Sequence, residues 1–287
     1  MISNQVSLNS LSFSLVGPGK VGSSLAHWLV SCGARLSQVA SRDPDAARRL
    51  ADTLGGTPTD LHQMTSAENE LLLVTVSDPA LQQVARTLAQ REQASVVLHT
   101  SGRSTGDVLS PLRLKGSAVG SLHPLKAFPE LILDPTEASG TVFGIDGDER
   151  AQTMARRVAT GLSGVATVIP PASRGQYHLA ATIAAGGVVT LLASAAELAT
   201  DVGLGPEVVA GYLGLAGDAV QRAAASESIA SAITGPIARG DMRGFLSQID
   251  EIRNLNPDLA GFLEVLARRT DHHCQVAEEG GSELPRP

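Results

Sequence analysis

Apolar positions in the first half of the chain alternate between short continuous runs and stripes at helical spacing. Residues 12–16 (SFSLV) are a short apolar run. After a glycine turn, Val21, Leu25, Trp28, Leu29 and Cys32 recur at the 3.6-residue period of a helix that Gly33 ends. Residues 36–40 predict a second strand. Asp43-Pro44 then predicts a helix start, a capping carboxylate followed by a proline in the first turn, over Ala47, Leu50, Ala51 and Leu54. The run 71–76 (LLLVTV) has no polar face and predicts a strand covered on both sides. Ser77-Asp78-Pro79 opens a helix carrying Leu81, Val84, Ala85 and Leu88. Strands are predicted at 95–99, 118–122, 142–145 and 165–169, with helical stretches at 105–112 and 149–162. This alternation predicts an α/β fold, a Rossmann-type doubly wound sheet that is parallel at least in its first part.

The second half reads differently. Pro170-Pro171 breaks the pattern, and beyond it every stretch is helical: 177–198, 206–225, and one helix each after Asp241 and Asn256-Pro257. The predicted division is a sheet domain at 1–169, an all-helical domain at 170–275 and a disordered, Gly/Glu/Pro-rich tail at 276–287. Residues 179–196 carry no charge, which formally permits a membrane span. Their Ala, Gly, Ser and Thr content, with Gly186-Gly187, suits close packing of another helix better, so the expectation is a central helix or dimer core and no membrane.

The glycine turn carries the first chemistry. Gly17-Pro18-Gly19-Lys20-Val21-Gly22 fits G-x-G-x-x-G between a strand and a helix. Gly17 permits the tight turn, Gly19 keeps side-chain bulk away from a pyrophosphate, and Gly22 lets helix and sheet approach. The helix N-terminus then offers amides and positive dipole to the phosphates. At the end of the second strand stand Ser41 and Arg42, where an acid would favour NAD. A guanidinium suits a 2′-phosphate, so NADP is expected over NAD. The other reading of Arg42 is a solvated surface arginine, and Asp43 is read as a cap.

Ligands of open α/β sheets gather at the carboxyl ends of the strands. Those ends hold Ser41-Arg42, Ser77-Asp78, His99-Thr100-Ser101 and His123. His123 can move a proton near neutral pH, or merely cap its strand. His99 reads as structural. Ser101 orients a substrate oxygen or caps the following turn. Lys126 could hold an anionic group, or be solvated. Tyr177-His178 begins the long helix, facing the crevice or packing locally.

Charge and cysteine content narrow the classes. A net charge of −7 with no basic run excludes non-specific nucleic-acid or acidic-membrane binding. The two cysteines, Cys32 and Cys274, make neither a disulfide framework nor a zinc motif. No secretory signal is evident at the start, so a cytoplasmic protein is expected. Adjacent ligands in His272-His273-Cys274 would point apart, and no metal is expected. Arg239, in a turn between helices, reaches an acid or a phosphate, or is simply exposed.

GPGKVG, His99-Thr100-Ser101-Gly102, GSLHPLKAF (120–128), YHLAA (177–181) and TGPIARGD (234–241) together resemble a family of Rossmann-like proteins assigned as NADP-dependent oxidoreductases. Their C-terminal helical region is a domain of unknown function. The family is similar to the 6-phosphogluconate dehydrogenase and pyrroline-5-carboxylate reductase group. The resemblance implies a helical domain that forms a homodimer, an active site between the domains, and a small-molecule substrate. It leaves the substrate unnamed. Relatives usually read Tyr-His-x-Ala-Ala-x-x-Ala-Ser-Asn along the long helix. Here Ala185 and Gly186 replace the polar pair, one of which in such proteins often contacts substrate or nicotinamide. The candidate set is therefore His123 as proton donor, Ser101 assisting, and Tyr177 and His178 closing the site, with cofactor held by 17–22, Ser41, Arg42, Ser77 and Asp78. The alternative reading is a non-catalytic NADP-binding sensor or partner-binding protein.

Overall fold

A computed structural model describes residues 7–278. β1 (Ser12–Val16), α1 (Lys20–Ser31), β2 (Arg35–Ala40), α2 (Pro44–Leu54), β3 (Thr57–Thr59), β4 (Leu71–Val74), α3 (Asp78–Leu88) and β5 (Val96–His99) follow one another. A short α4 (Ser110–Arg113), β6 (Ala118–Pro124), β7 (Val142–Gly147), α5 (Glu149–Gly161) and β8 (Val165–Val168) complete an eight-stranded sheet. Its strand order is β3-β2-β1-β4-β5-β6-β7-β8. Every pairing is parallel except β6 with β7.

Alternation along the strands divides the core between two faces. Phe13, Leu15, Leu71, Leu73 and Leu98 point to one side, against Leu25, Leu29 and Leu50 of α1 and α2 and Val158 of α5. Val16, Leu72, Val74 and Val97 point to the other, against Leu81 and Leu88 of α3 and Leu112 of α4. Both faces are covered, which is why β4 reads as unbroken leucine and valine.

Three elements differ from the sequence pattern. β3 is a short edge strand containing a proline, with no apolar alternation to announce it. The stretch predicted as a helix at 105–112 is a 3-10 turn (Gly106–Leu109) leading into α4. Gly106 lies against Gly120 of β6, and Pro111 follows closely. β6 runs on through His123 and Pro124, because β7 pairs with those residues in the antiparallel sense.

Beyond β8 lie α6 (Arg174–Thr182), a π-turn (Ile183–Gly187), α7 (Val188–Asp201), α8 (Pro206–Ala225), α9 (Met242–Ile252) and α10 (Pro257–Glu278). The Asp241 carboxylate caps α9 by accepting from the Gly244 amide at 2.9 Å. Asn256 caps α10, accepting from Leu259 N–H at 3.1 Å. Of the tail expected to be disordered from 276, residues 276–278 belong to α10, whose helical period carries past Cys274. The remainder lies outside the described residues. The chain divides into two compact units at Ala185/Gly186, beyond the predicted boundary at Pro170. α6 goes with the sheet because a buried ion pair ties Arg174 to Asp146 of β7.

The second unit has a small core that includes Ile249, Leu259, Ala260 and Ala267. Several large apolar side chains of α7 and α8 are exposed, Val189, Leu213 and Leu215 among them. One helical stretch, Pro171–Asp201, is long and apolar enough to cross a membrane by length and composition.

Candidate active site

The glycine turn is built as its spacing predicts. Gly17 sits at φ +91°, a backbone conformation that side chains disfavour, and its N–H donates to Ala40 O of β2 at 2.9 Å. A side chain on Gly22 would collide with the Thr75 hydroxyl and the Gly17 carbonyl, so this glycine sets how closely α1 meets the sheet. Around Gly19 there is open space. No side chain caps α1 and no acid lies in its first turn. Its leading amides therefore have neither an internal acceptor nor a carboxylate to offset the helix dipole. Thr75, just past β4, donates to both the Val16 and Gly17 carbonyls and pins the turn.

This turn lines a cavity of about 540 Å³ with Ser41, Arg42, Thr75 and Ser77. Arg42 is exposed at its rim and makes no ion pair among the described residues. The Ser41 hydroxyl accepts from Asp43 N–H at 3.1 Å, and Asp43 caps α2 through Asp45 N–H at 3.0 Å, as expected of a cap. Ser77 is the N-cap residue of α3, and Asp78 begins that helix. Pro18 lines the cavity. Val21 packs partly against the core. Lys20 turns elsewhere: its ammonium donates to the Pro129 carbonyl in the loop after β6. These observations fit a dinucleotide, with open backbone at the phosphates and an uncommitted guanidinium near β2.

A second cavity, about 480 Å³, opens at the end of β6, lined by His123, Lys126, Tyr177, His178 and a row of alanines including Ala181 and Ala184. Both cavities lie at the carboxyl edge of the parallel strands, and every residue lining the second belongs to the first compact unit. His123 Nδ1 and the Tyr177 hydroxyl are 2.8 Å apart, their rings edge to face at 5.5 Å. Tyr177 can reach because the cross-strand partner of His123 is Gly144, where any side chain would occupy the place of the phenol. His178 stands 6.1 Å from His123, centroid to centroid, and its Nδ1 is buried without a hydrogen-bond partner. Gly102 gives both imidazoles room, since a side chain there would touch His123 Nε2 and His178 Nδ1.

Burial first, then the positive Arg174 nearby and His178, lower the His123 imidazole to a pKa of about 4. Burial raises the Tyr177 phenol above its ordinary value. At neutral pH His123 is therefore uncharged and Tyr177 protonated. Whichever way the proton between them lies, the pair keeps one N–H or O–H free to donate. If the phenol donates to Nδ1, the imidazole proton sits on Nε2. If Nδ1–H donates, the phenol O–H is released.

His99 and Ser101 have other tasks. His99 is fully buried. It accepts from Ser101 N–H at Nδ1 (3.1 Å) and contacts Thr105 O through Nε2 (3.0 Å), which makes Nε2 the protonated nitrogen. The Ser101 hydroxyl accepts from Arg103 and Ser104 N–H, capping the turn after β5, and retains its own proton. Lys126 reaches the cavity wall but pairs with Glu137 at 2.8 Å.

Two residues that sequence reading missed hold this arrangement. Arg174 is 2% exposed. Its guanidinium donates to Asp146 at 3.1 Å, to Gly102 O at 3.4 Å and to the Ser121 hydroxyl. Asp146 is equally buried and also accepts from Gly106 N–H at 3.0 Å. Ser121 and Asp146 are cross-strand partners, as are His123 and Gly144 two residues along. Arg174 and Tyr177 are one helical turn apart, so anchoring the first sets the second over His123. A signal existed: Arg174 is the one charged residue between 171 and 196, and Asp146 interrupts an apolar strand.

Residues 2–124 match a Rossmann-like domain model, and residues 141–270 match the domain of unknown function DUF2520. The two matched segments follow one another along the chain. The junction falls between β6 and β7, where the sheet changes sense, so His123 comes from the Rossmann-like segment and Tyr177 and His178 from the DUF2520 segment. A Thermotoga maritima protein is 25% identical, with a TM-score of 0.74 over 93% of this chain and 99% of its own. A candidate NADP oxidoreductase from Bacteroides fragilis is 22% identical, with a TM-score of 0.75 over 91% and 98%. The 1-pyrroline-5-carboxylate reductase of Streptococcus pyogenes shares the fold at 12% identity, with a TM-score of 0.62 over 92% and 98%. No curated protein matches the chain.

Proposed function

We propose that this chain is an NADP(H)-dependent oxidoreductase acting on a small carbonyl, imine or hydroxy-acid substrate. One observation carries the reading: an open, uncapped glycine turn with a free guanidinium, and a hydrogen-bonded His–Tyr pair, stand at the same edge of one sheet. The names of the Bacteroides fragilis and Streptococcus pyogenes proteins agree with it. The amides at 20–22 would hold the diphosphate, with Ser41 and Arg42 at the ribose phosphate and Ser77 beside it. A bound nicotinamide dinucleotide supplies or accepts the hydride. The chain supplies position and the proton. His123 and Tyr177 donate a hydrogen bond to the reacting oxygen or nitrogen and pass it the proton of their shared pair. Because His123 is uncharged at neutral pH, the donor is the neutral pair rather than an imidazolium.

In the same reading the exposed apolar side chains of α7 and α8 meet a second copy, giving a homodimer, and the sparse cysteines suit a reducing cytoplasm. Calorimetry with NADPH and NADH tests the cofactor directly. Binding of NADPH in preference supports the proposal, and binding of neither removes it. A non-catalytic NADP sensor is the second reading, favoured by Ala185 and Gly186 where relatives carry polar residues. NADPH binding without oxidation across keto acids, aldehydes and cyclic imines, and unaffected by His123→Ala, would select it.

A further inference from the structure

The cation that lines the second cavity and the one that packs behind it are both committed. Arg174, the cation closest to the His123–Tyr177 pair by its contacts, spends its guanidinium on Asp146, Gly102 O and Ser121 and is 2% exposed. Lys126 lies on the wall with its charge compensated by Glu137 at 2.8 Å. The rest of the lining is imidazole, phenol, Thr182 and apolar side chains, largely alanine. Among the described residues, no unpaired cation lines it. A carboxylate entering here would lose water and meet no charged partner, which costs more than a neutral group would. The volume, about 480 Å³, is that of a site for a compact organic molecule.

We infer that this cavity takes an uncharged carbonyl or imine compound with an apolar body, and discriminates against a carboxylate next to the reacting centre. The inference rests on the oxidoreductase reading and narrows it, away from keto and hydroxy acids. The polar end of the ligand meets His123 and Tyr177, and its apolar body lies along the alanine face of 180–185. Neutral His123 and protonated Tyr177 serve such a ligand as hydrogen-bond donors without placing a charge beside it.

Phenylacetone and phenylpyruvate form a matched probe pair, differing in a methyl against a carboxylate beside the carbonyl. NADPH binding is measured first, by calorimetry, so that failure of the cofactor reading is seen separately. Each probe is then titrated by protein-detected NMR with and without NADP+, and NADPH oxidation is followed alongside. The expected result is at least about tenfold tighter binding of phenylacetone, with oxidation following the same order. In Glu137→Gln, which releases Lys126, the preference should shrink to about threefold. Equal or tighter binding of phenylpyruvate overturns the inference, as does binding of neither probe by a chain that binds NADPH. A Glu137→Gln ratio identical to that of the parent overturns the charge argument. A chain that fails to bind NADPH but still prefers phenylacetone refutes the cofactor reading and keeps the cavity's selectivity.

Discussion

At residue scale the decisive group is His123, whose environment changes what it can do. A buried, neutral imidazole beside a phenol is a hydrogen-bonding partner at pH 7, not a charged acid. The sign of its effect on stability follows. Its pKa is about 4 in the fold and 6.5 without it, so the unfolded chain takes the proton first. Stability is therefore intact above pH 6.5 and falls as pH drops towards 4, by on the order of 3 kcal/mol. Urea unfolding at pH 7 and pH 4.5 should show this loss in the parent chain and a smaller one in His123→Gln. Tyr177→Phe removes the shared proton but not the ring. It should lower turnover about 100-fold while NADPH affinity, read by calorimetry, stays as in the parent. Arg42→Ala should weaken NADPH about tenfold or more and leave NADH nearly unaffected. Equal weakening of both would remove Arg42 from the 2′-phosphate.

At the scale of elements, α6 is useful because it is fixed. Its own sequence gives it little hold on the sheet: Leu179 and Ala180 are exposed, and Tyr177 and His178 are only half-buried. The Arg174–Asp146 pair supplies the attachment. Arg174→Met should destabilise the chain by about 3–5 kcal/mol, because Asp146 is left buried and unpaired. The double variant Arg174→Met, Asp146→Leu should recover much of that loss in thermal unfolding, while activity stays low because Tyr177 is no longer held over His123. If both variants unfold alike, the buried carboxylate is not what makes the single change costly. The loop after β6 is fixed in a similar way. Ser24 of α1 accepts from Ile132 N–H at 2.9 Å, and Phe128 packs on Trp28 with ring centroids 5.7 Å apart.

For the whole molecule, the contrast between the two compact units matters most. In the first, both faces of the central strands are covered, as the fully buried β4 and β5 show. In the second, leucines and valines of α7 and α8 face outward, Leu213 at 55% and Leu215 at 64% exposure. Apolar surface of that extent on a helical unit calls for a cover. Light scattering on a size-exclusion column should give twice the chain mass, and Leu213→Glu with Leu215→Glu should halve it. A monomeric parent chain would leave those side chains without the proposed partner.

Local signals made the glycine turn, its strand and helix, the caps Asp43, Asp241 and Asn256, and the parallel order of the first strands readable directly. Each depends on residues within a few positions of one another, through backbone conformation, capping bonds or periodic burial. The sequence alone determined where the glycine turn lies and which strand ends carry polar groups. What it could not determine was the union of His123 with Tyr177, 54 residues away. That contact needs β7 to run antiparallel to β6, Gly144 to leave room, and Asp146 to capture Arg174 across 28 residues. None of these has a local signature, because pairing sense and burial of charge are decided only when distant segments pack. The tertiary structure alone turned a histidine that could have been a strand cap into half of a buried, hydrogen-bonded His–Tyr pair.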